Sequence, residues 1–415
     1  MAQIVRSTMS KKRILLVTQY FQPENFKCND IAFEMQRRGY DVTVLTAIPN
    51  YPQGKFFEGY GLLKRRTEVV NGVKVIRGFV IPRGKGGKIG LSLNYLSYLV
   101  SSCLIALYLS LRYRYDAVFV HQVSPVTIGV AATLVKRIQR IPMYFWVLDL
   151  WPESLTAAIG LRNKYILGFF SKMVQWFYRR SDKILISSKG FEKSICAKGD
   201  FADKIIYFPN WIDSALTTIA DVATPDVPSG FVAMFTGNIG ASQDFDTILA
   251  AAEQLKEHSD IHIVVVGNGR DKERVESEIS RRKLDAMVHC VGSYPLEAMP
   301  ATFAKADVLF AALKDEMIFA ITVPAKIQAY MSSGKPIVTM INGEAKELIE
   351  SVGCGVAVNA GDAEGFAKAI LALQQMSNEE RAEMGARGQV FAAQHFNFEL
   401  QMNLLEDILN DRYVK

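Results

Sequence analysis

The chain has 415 residues, of which 49% are hydrophobic and 22% are charged. This length suits two domains, and this composition excludes wholesale disorder. The net charge of +6 hides an asymmetry, because residues 1–210 hold 31 Lys and Arg against 13 Asp and Glu, whereas the rest hold 17 against 29. The basic first half predicts an anionic partner, and no motif points to nucleic acid.

The five cysteines and five histidines are dispersed along the chain, with no CxxC pair. This pattern argues against a disulfide framework and against a zinc site, so we expect a protein of the reducing cytosol. Residues 1–13 are basic but lead directly into a short strand without a cleavage pattern. We therefore expect no secretory signal.

Short apolar runs alternate with helix-length segments throughout the first half. The predicted strands are Ile14–Thr18, Val42–Thr46, Ala117–His121, Met143–Leu148 and Lys183–Ser187. A helical stretch around Asp30–Arg38 separates the first two. This alternation predicts a parallel, doubly wound α/β sheet in a domain spanning 1–210.

The pattern restarts after a linker at 211–230, which is rich in Pro, Ser and Thr and lacks periodicity. The strands predicted beyond it are Phe231–Thr236, Ile261–Gly267, Val288–Gly292, Val308–Phe310, Pro336–Ile341 and Gly355–Val358. Helical segments lie between them, and the chain ends in helical sequence. We therefore predict a second Rossmann-like domain over 231–390, facing the first across a cleft.

Residues 91–111 contain no charged side chain and are long enough to cross a membrane. Their several Ser and Tyr residues favour a buried or interfacial helix instead. Cations at Lys64–Arg66, Arg83 and Arg112 flank this segment, and the aromatic stretch Tyr165–Tyr178 is bracketed in the same way. Together with the basic first half, they favour peripheral attachment to a membrane surface over two core helices with solvated charges.

Ligands of open parallel sheets collect where strands end and helices begin. In the second half, Gly237, Asn238 and Gly240 follow one predicted strand, and Gly269 follows the next. Glycines there let backbone N–H groups approach a phosphate. Thr322–Lys326 opens a helix with proline in its first turn, where free N–H groups and Lys326 predict an anion site. An ordinary capped helix with an exposed lysine is the alternative.

Three loops of the first half end at the same predicted sheet edge. Tyr20, Pro23 and Glu24 follow the first strand, and His121 ends another. Asp149 ends the next strand, where its carboxylate is either a base or hydrogen-bond partner for a hydroxyl, or an N-cap ahead of Pro152. Trp146 and Trp151 are core residues or an acceptor platform. No Ser-His-Asp or Cys-His arrangement is evident.

Several of these stretches resemble bacterial GT-B glycosyltransferases of family 4, over nearly the whole chain. The most similar branch is named for N-acetyl-L-fucosamine transfer, beside colanic-acid and O-antigen transferases. The stretches that carry the resemblance include Gln19–Asn25, Asn50 within Pro49–Lys55, Asp149–Glu153, Thr236–Gly240, Val323–Lys326 and Gly334–Ile337.

The resemblance implies a metal-independent, retaining transferase without a cofactor, in which residues 391–415 cross back onto the first domain. It implies that His121 touches the donor sugar, that Gly237–Gly240 and Lys326 hold the diphosphate, and that Tyr294 lies near the base. Tyr20, Pro23, Glu24, Asn50, Trp151 and Glu153 would face the acceptor.

This chain departs from the family pattern at two glutamates that usually grip the donor sugar. Ile321 and Ala329 stand at those positions, and Glu316 is a nearby carboxylate that would substitute. Asn238 and Gln243 replace a basic pair after the first glycine turn, for which Lys326 would compensate.

We therefore expect a glycosyltransferase at the cytoplasmic face of the inner membrane. It would move a UDP-linked sugar, of the N-acetylated deoxyhexose kind, to a polyprenyl-diphosphate-linked acceptor in O-antigen or capsule assembly. Two alternatives remain open: a non-hydrolysing UDP-sugar 2-epimerase, and a non-catalytic partner subunit, which the missing glutamates would explain.

Overall fold

A computed structural model describes residues 11–84, 87–218 and 220–413. Residues 1–10 of the basic start 1–13 lie outside this range. The described residues form two compact units. Unit 1 comprises 11–187, 192–208 and 404–413, and unit 2 comprises 188–191 and 209–403.

Unit 1 is built on an eight-stranded sheet. Its strands are β1 Arg13–Val17, β2 Asp41–Ala47, β3 Thr67–Val70, β4 Val73–Gly78, β5 Ala117–Gln122, β6 Met143–Val147, β7 Lys183–Ile186 and β8 Ile205–Tyr207. The strand order is β3-β4-β2-β1-β5-β6-β7-β8, and only the β3–β4 pair is antiparallel. The central strands are apolar and almost completely buried, as strands covered on both faces must be.

Six helices connect these strands: α1 Lys27–Arg37, α2 Lys88–Arg112, α3 Ile128–Gln139, α4 Glu153–Ile159, α5 Lys164–Arg180 and α6 Phe191–Cys196. Helix α3 packs against both α2 and α5, so these three helices cover one face of the sheet. Each leads from the carboxyl edge of the sheet, where strands end, back to the amino edge, where the next strand begins.

Unit 2 contains a six-stranded, fully parallel sheet of order β11-β10-β9-β12-β13-β14. Its strands are β9 Phe231–Thr236, β10 Ile261–Val266, β11 Val288–Gly292, β12 Val308–Ala312, β13 Ile337–Met340 and β14 Gly355–Val358. Its helices are α7 Phe245–Gln254, α8 Lys272–Arg281, α9 Met299–Ala304, α10 Met317–Ala320, α11 Ala325–Ser332, α12 Glu344–Val352, α13 Ala363–Gln375 and α14 Asn378–His395. Apolar side chains of alternating strand positions build one core on each face of the sheet.

The prediction of two doubly wound α/β units is confirmed, and the predicted strands occur within one or two residues. Sequence reasoning missed the β3–β4 hairpin, the short strand β8 and helix α10. The predicted boundary at residue 390 lies inside α14, which continues to His395. The last helix, α15 Phe398–Leu409, begins in unit 2, and its residues from 404 onward belong to unit 1.

Candidate functional site

The glycine loops of unit 2 stack directly on one another. Gly237 donates its N–H to the Val266 carbonyl at 2.9 Å, and Ile239 donates to the Asn268 carbonyl at 2.9 Å. A Cβ at Gly269 would lie 2.0 Å from the Ile239 carbonyl oxygen, so no larger residue fits there. Gly269 is therefore required for contact between the loops, and its contact with a phosphate stays a prediction.

The loop after β9 leaves backbone donors available. Within the described residues, the N–H groups of Asn238, Gly240 and Ala241 donate to no acceptor. Gly237 adopts a φ of 127°, which favours glycine. These donors face no competing partner and suit an anion.

Lys326 lies beside this loop, as predicted. Its Nζ atom is 2.9 Å from Gln243 Oε1 and 3.8 Å from the centroid of the Phe235 ring. A Cβ built on Gly237 would be 3.6 Å from the same Nζ. Burial without a compensating charge lowers the pKa of Lys326 to about 7, because it disfavours the charged ammonium form.

Tyr330 fixes helix α11 to the end of β9. Its hydroxyl accepts the Thr236 N–H at 2.8 Å and is completely buried. Because Lys326 lies one turn earlier on the same helix, this bond sets the position of its ammonium group.

The start of α11 differs from the prediction in detail. Pro324 is the N-cap of α11 rather than a residue of its first turn, and Lys326 is the second helical residue. The N–H of Val323 donates to Ser188 Oγ at 2.9 Å, and the Thr322 hydroxyl donates to the Ile318 carbonyl at 2.7 Å. Neither group is therefore free to bind an anion, because each is used to hold the turn.

Of the remaining residues predicted to bind the donor, the structure brings only some together. Glu316 is exposed and precedes α10, and Tyr294 packs against one core of unit 2. Sequence reasoning missed Glu344, the first residue of α12, whose carboxylate accepts the N–H groups of Lys189 and Gly190 at 2.7 and 2.6 Å. The carboxylate therefore holds segment 188–191 within unit 2.

In unit 1, His121 is the penultimate residue of β5 and is buried, with its ring 5.4 Å from that of Trp146. Its Nδ1 lies 3.1 Å from the Thr18 hydroxyl, which donates its own proton to the Tyr20 carbonyl. We therefore assign the proton to Nδ1, which leaves Nε2 as a hydrogen-bond acceptor. Burial lowers the pKa of His121 to about 3, so the ring is neutral at physiological pH.

Tyr20, Glu24 and Asn50 come together, as predicted, around the unpredicted Arg83. Glu24 Oε1 accepts the N–H groups of Asn50 and Tyr51 at 2.9 and 2.7 Å, while Oε2 is buried without a partner among the described residues. Burial raises the pKa of Glu24 to about 7. Arg83 donates to the Tyr20 hydroxyl at 2.6 Å and lies against the rings of Tyr20 and Tyr51.

Asp149 organises a second group at this edge. Its carboxylate accepts both the N–H and the hydroxyl of Ser124, at 2.8 and 2.7 Å. The Trp151 indole donates to the same hydroxyl at 3.0 Å. The N-cap interpretation of Asp149 is wrong, because Pro152 occupies the N-cap of α4. Burial raises the pKa of Asp149, which brings the carboxyl closer to the range of a general base.

Two further predicted acceptor residues have other surroundings. Glu153 pairs with Lys198 at 2.5 Å and accepts from Ser194 at 2.7 Å, so its carboxylate is held in a structural ion pair. Pro23 is exposed beside Glu24.

Helix α2 turns its polar side chains toward the protein. Asn94, Tyr98 and Ser102 are buried, and the Tyr98 hydroxyl donates to the Thr18 carbonyl at 2.6 Å. Eight large apolar side chains on α2 are between 41% and 79% exposed: Ile89, Leu93, Leu96, Val100, Leu104, Leu107, Tyr108 and Leu111. Among the described residues, α2 is the one helix long and apolar enough to cross a membrane.

No group of three or more metal-ligating side chains occurs within residues 11–84, 87–218 and 220–413. The arrangement offers backbone donors and one buried amine in unit 2, and a neutral imidazole with carboxyl groups in unit 1. Such groups suit hydrogen bonding to sugar hydroxyls and stabilisation of a phosphate leaving group.

Two protein families match this chain. Residues 27–211 match the Glycosyl transferase 4-like domain, and residues 230–376 match the Glycosyl transferases group 1 family. The chain is 25% identical over 292 residues to a protein of Escherichia coli strain K12 named as the colanic acid biosynthesis glycosyl transferase WcaI, covering 65% of this chain and 68% of that protein.

Solved structures share the fold. Sucrose-phosphate synthase of Thermosynechococcus elongatus superposes with a TM-score of 0.74 at 14% identity, covering 97% of this chain and 99% of that one. HepE of Anabaena, solved in complex with UDP and glucose, gives 0.67 at 15% identity, covering 96% and 99%. The chain is thus a glycosyltransferase with the GT-B fold. The residues that match the glycosyltransferase 4-like domain lie mostly in its first unit, and those that match the group 1 family lie in its second.

Proposed function

We propose that this glycosyltransferase moves a sugar from a nucleotide-diphosphate donor to a polyprenyl-diphosphate-linked acceptor during surface polysaccharide assembly, with retention of anomeric configuration. The donor is UDP-linked and of the N-acetylated deoxyhexose kind. The name of the colanic-acid relative supports the pathway class, and the presence of UDP in the HepE structure supports the nucleotide. No metal takes part in this proposal.

The observation that carries this proposal is the anion site of unit 2. Free N–H groups after β9 and the buried ammonium of Lys326 lie together at the carboxyl edge of the sheet. Breaking the bond between a sugar and a diphosphate develops negative charge on the departing phosphate oxygen. Donors fixed in advance stabilise that charge without reorganisation.

In unit 1, the neutral His121 accepts a hydrogen bond from a donor-sugar hydroxyl at Nε2, and Asp149 orients the acceptor hydroxyl. The acceptor hydroxyl attacks the anomeric carbon from the face of the leaving group and gives its proton to the departing phosphate. No protein nucleophile is needed for this step. Ile321 and Ala329 stand where the resembling transferases usually have glutamates. We therefore propose that Glu316 is the carboxylate that contacts the donor sugar.

The exposed face of α2 supports peripheral membrane attachment at the cytoplasmic face of the inner membrane. Because its polar face is bonded to the sheet, the helix is held on unit 1 and presents its apolar stripe outward. A helix lying in the headgroup plane buries such a stripe in the lipid. Flotation of the protein with vesicles of phosphatidylglycerol and phosphatidylcholine tests this attachment.

The variant Val100→Asp/Leu104→Asp puts two charges in the stripe. We expect it to lose most vesicle binding, whereas Leu400→Asp, which adds a charge at an exposed apolar residue of unit 2, should bind as the wild type does. Equal binding by all three proteins would contradict attachment through α2.

Incubation with labelled UDP-sugars and bacterial membranes tests the reaction. Label that enters the lipid phase supports transfer. Epimerised UDP-sugar without lipid label would favour a 2-epimerase, and nucleotide-sugar binding without turnover across the whole panel would favour a partner subunit.

A further inference from the structure

A cavity of about 700 Å³ lies in unit 1 at the amino edge of the sheet, opposite the edge that carries His121 and Asp149. It lies between the end of α3, the end of α5 and the starts of β6 and β7. Its charged lining consists of Lys136, Arg137, Arg140, Arg180, Lys183, Asp182 and Asp411. We refer to it as the basic pocket. Nothing in the proposed function uses it.

The cations of the basic pocket outnumber their partners. Lys136 pairs with Asp182, and the Arg180 guanidinium lies 4.3 Å from the centroid of the Trp176 ring. Within the described residues, Arg137, Arg140 and Lys183 have no ion pair. The lining therefore holds five cations against two carboxylates, and three of these cations are left to a ligand or to water.

Helix dipoles explain only some of these cations. Lys136 and Arg137 lie in the last turn of α3, and Arg180 ends α5, where positive charge is favoured by the carbonyl ends. Arg140 is the C-cap of α3, where positive charge is favoured in the same way, and Lys183 begins β7. Lys183 is therefore the one of these five cations that a helix end does not account for.

Arg140 also adopts a left-handed conformation, with φ 58° and ψ 40°, at the C-cap of α3. Glycine or asparagine is the usual residue there, and a larger side chain adopts this conformation at an energetic cost. The position thus carries a guanidinium at an energetic cost. The observation is consistent with a function for that group.

The wall of the basic pocket adds a neutral hydrogen-bond donor. Tyr144 is buried, and burial together with nearby Asp411 and Asp182 raises its pKa. Its phenol therefore stays protonated at physiological pH. Planar guanidinium groups beside a neutral hydroxyl suit the oxygens of a phosphate.

We propose that the basic pocket is a second ligand site of this protein, which binds the phosphate groups of an anionic ligand through Arg137, Arg140 and Lys183. Both a soluble diphosphate and an anionic lipid headgroup carry this chemistry. Helices α2, α3 and α5 all end at this edge of the sheet, and α2 and α5 both expose apolar side chains. A lipid headgroup bound in the basic pocket would therefore contact the same helices that face the membrane surface.

The test compares wild-type protein with Arg140→Gly and Arg137→Ala/Arg140→Gly. Glycine suits the left-handed backbone, so Arg140→Gly removes the guanidinium without adding strain. The matched control is Lys283→Gly, which removes an exposed cation of unit 2 at a φ of 54°. All four proteins have their melting temperatures measured before any binding experiment.

Each protein is titrated calorimetrically with inorganic pyrophosphate at low salt. Each is also floated with vesicles of phosphatidylcholine alone and with vesicles that contain about 30% phosphatidylglycerol, whose anionic lipid gives the surface a negative potential. A cation near an anionic surface changes binding about fivefold, so the double variant should bind roughly 25-fold more weakly. Arg140→Lys, which keeps the charge, should recover part of the loss.

Weaker pyrophosphate binding by the pocket variants would identify a soluble diphosphate, and weaker binding only to phosphatidylglycerol vesicles would identify a lipid headgroup. Both results support a phosphate site. If both pocket variants bind both probes as Lys283→Gly does, the proposal is wrong. Loss of UDP-sugar transfer alone would concern the proposed function and not this pocket.

Discussion

Replacing Lys326 with methionine removes the buried ammonium of the donor site and keeps a flexible apolar chain of similar length. Burial lowers the pKa of Lys326 from 10.5 to about 7, which corresponds to about 5 kcal/mol less favourable charging. A phosphate oxygen about 4 Å from Nζ would return about 4 kcal/mol at an effective dielectric constant of 20. Donor binding should therefore recharge Lys326 almost completely.

Recharging Lys326 on donor binding changes the number of bound protons as well as the affinity. A lysine with a pKa near 7 is about half protonated at pH 7 and about one tenth protonated at pH 8. Binding of UDP should then take up about 0.5 proton at pH 7 and about 0.9 at pH 8. Affinity should fall as the pH rises above 7, because the free site must gain a proton to bind.

Calorimetry of UDP binding in buffers of different ionisation enthalpy measures both quantities. We expect Lys326→Met to take up no proton from this group and to bind about 10- to 100-fold more weakly, the loss expected for one charge-assisted hydrogen bond. Lys346→Met, which removes a half-buried lysine of α12 that bonds Asn359, is the control. Affinity within twofold of wild type, with unchanged proton uptake, would refute the role assigned to Lys326.

Three further predictions concern stability and protonation. The pKa of Glu24 is raised to about 7 in the folded state, so folded Glu24 holds a proton that the unfolded chain has lost. Unfolding measured at pH 5–8 should therefore show wild-type stability falling by up to about 3 kcal/mol as the pH rises, relative to Glu24→Gln. Parallel curves of stability against pH for the two proteins would contradict this. Gly269→Ala would place a Cβ 2.0 Å from a carbonyl oxygen, so we expect urea unfolding to show a loss of several kcal/mol in stability. The control Gly168→Ala, which adds a Cβ in open space on α5, should stabilise the protein by about 0.5–1 kcal/mol. Equal effects of the two substitutions would show that the loops move apart. The His121 ring should show no titration by NMR between pH 5 and 8, since its pKa is about 3, and a midpoint near 6.5 would contradict its burial.

Periodicity made most of the fold predictable. Buried parallel strands such as β5 and β10 are continuous apolar runs, and these are visible in a single sequence. The β3–β4 hairpin was missed because both strands are short and β3 is half-exposed, although Asn71 and Gly72 form the turn with φ values of 49° and 81°. Its Asn-Gly pair is the signal that would have found it.

The site was predictable where it depends on strand ends. Lys326 beside Gly237, and Glu24 beside Asn50, follow from loops that meet at one edge of a parallel sheet. Arg83 and Glu344 were missed because their partners are backbone groups and side chains distant in sequence, which no spacing reveals. The prediction of a free N–H group at Val323 failed for the same reason, since its acceptor Ser188 lies far from it along the chain.

The central claim is that the chain transfers a sugar to a lipid-linked acceptor. The most direct measurement is the mass of the acceptor after incubation with a panel of nucleotide-sugars, with release of the nucleoside diphosphate followed in the same sample. We predict that one donor adds the mass of one sugar residue, that one equivalent of diphosphate is released, and that the product has the anomeric configuration of the donor. An unchanged acceptor mass with every donor, by folded protein that binds UDP, would contradict the account.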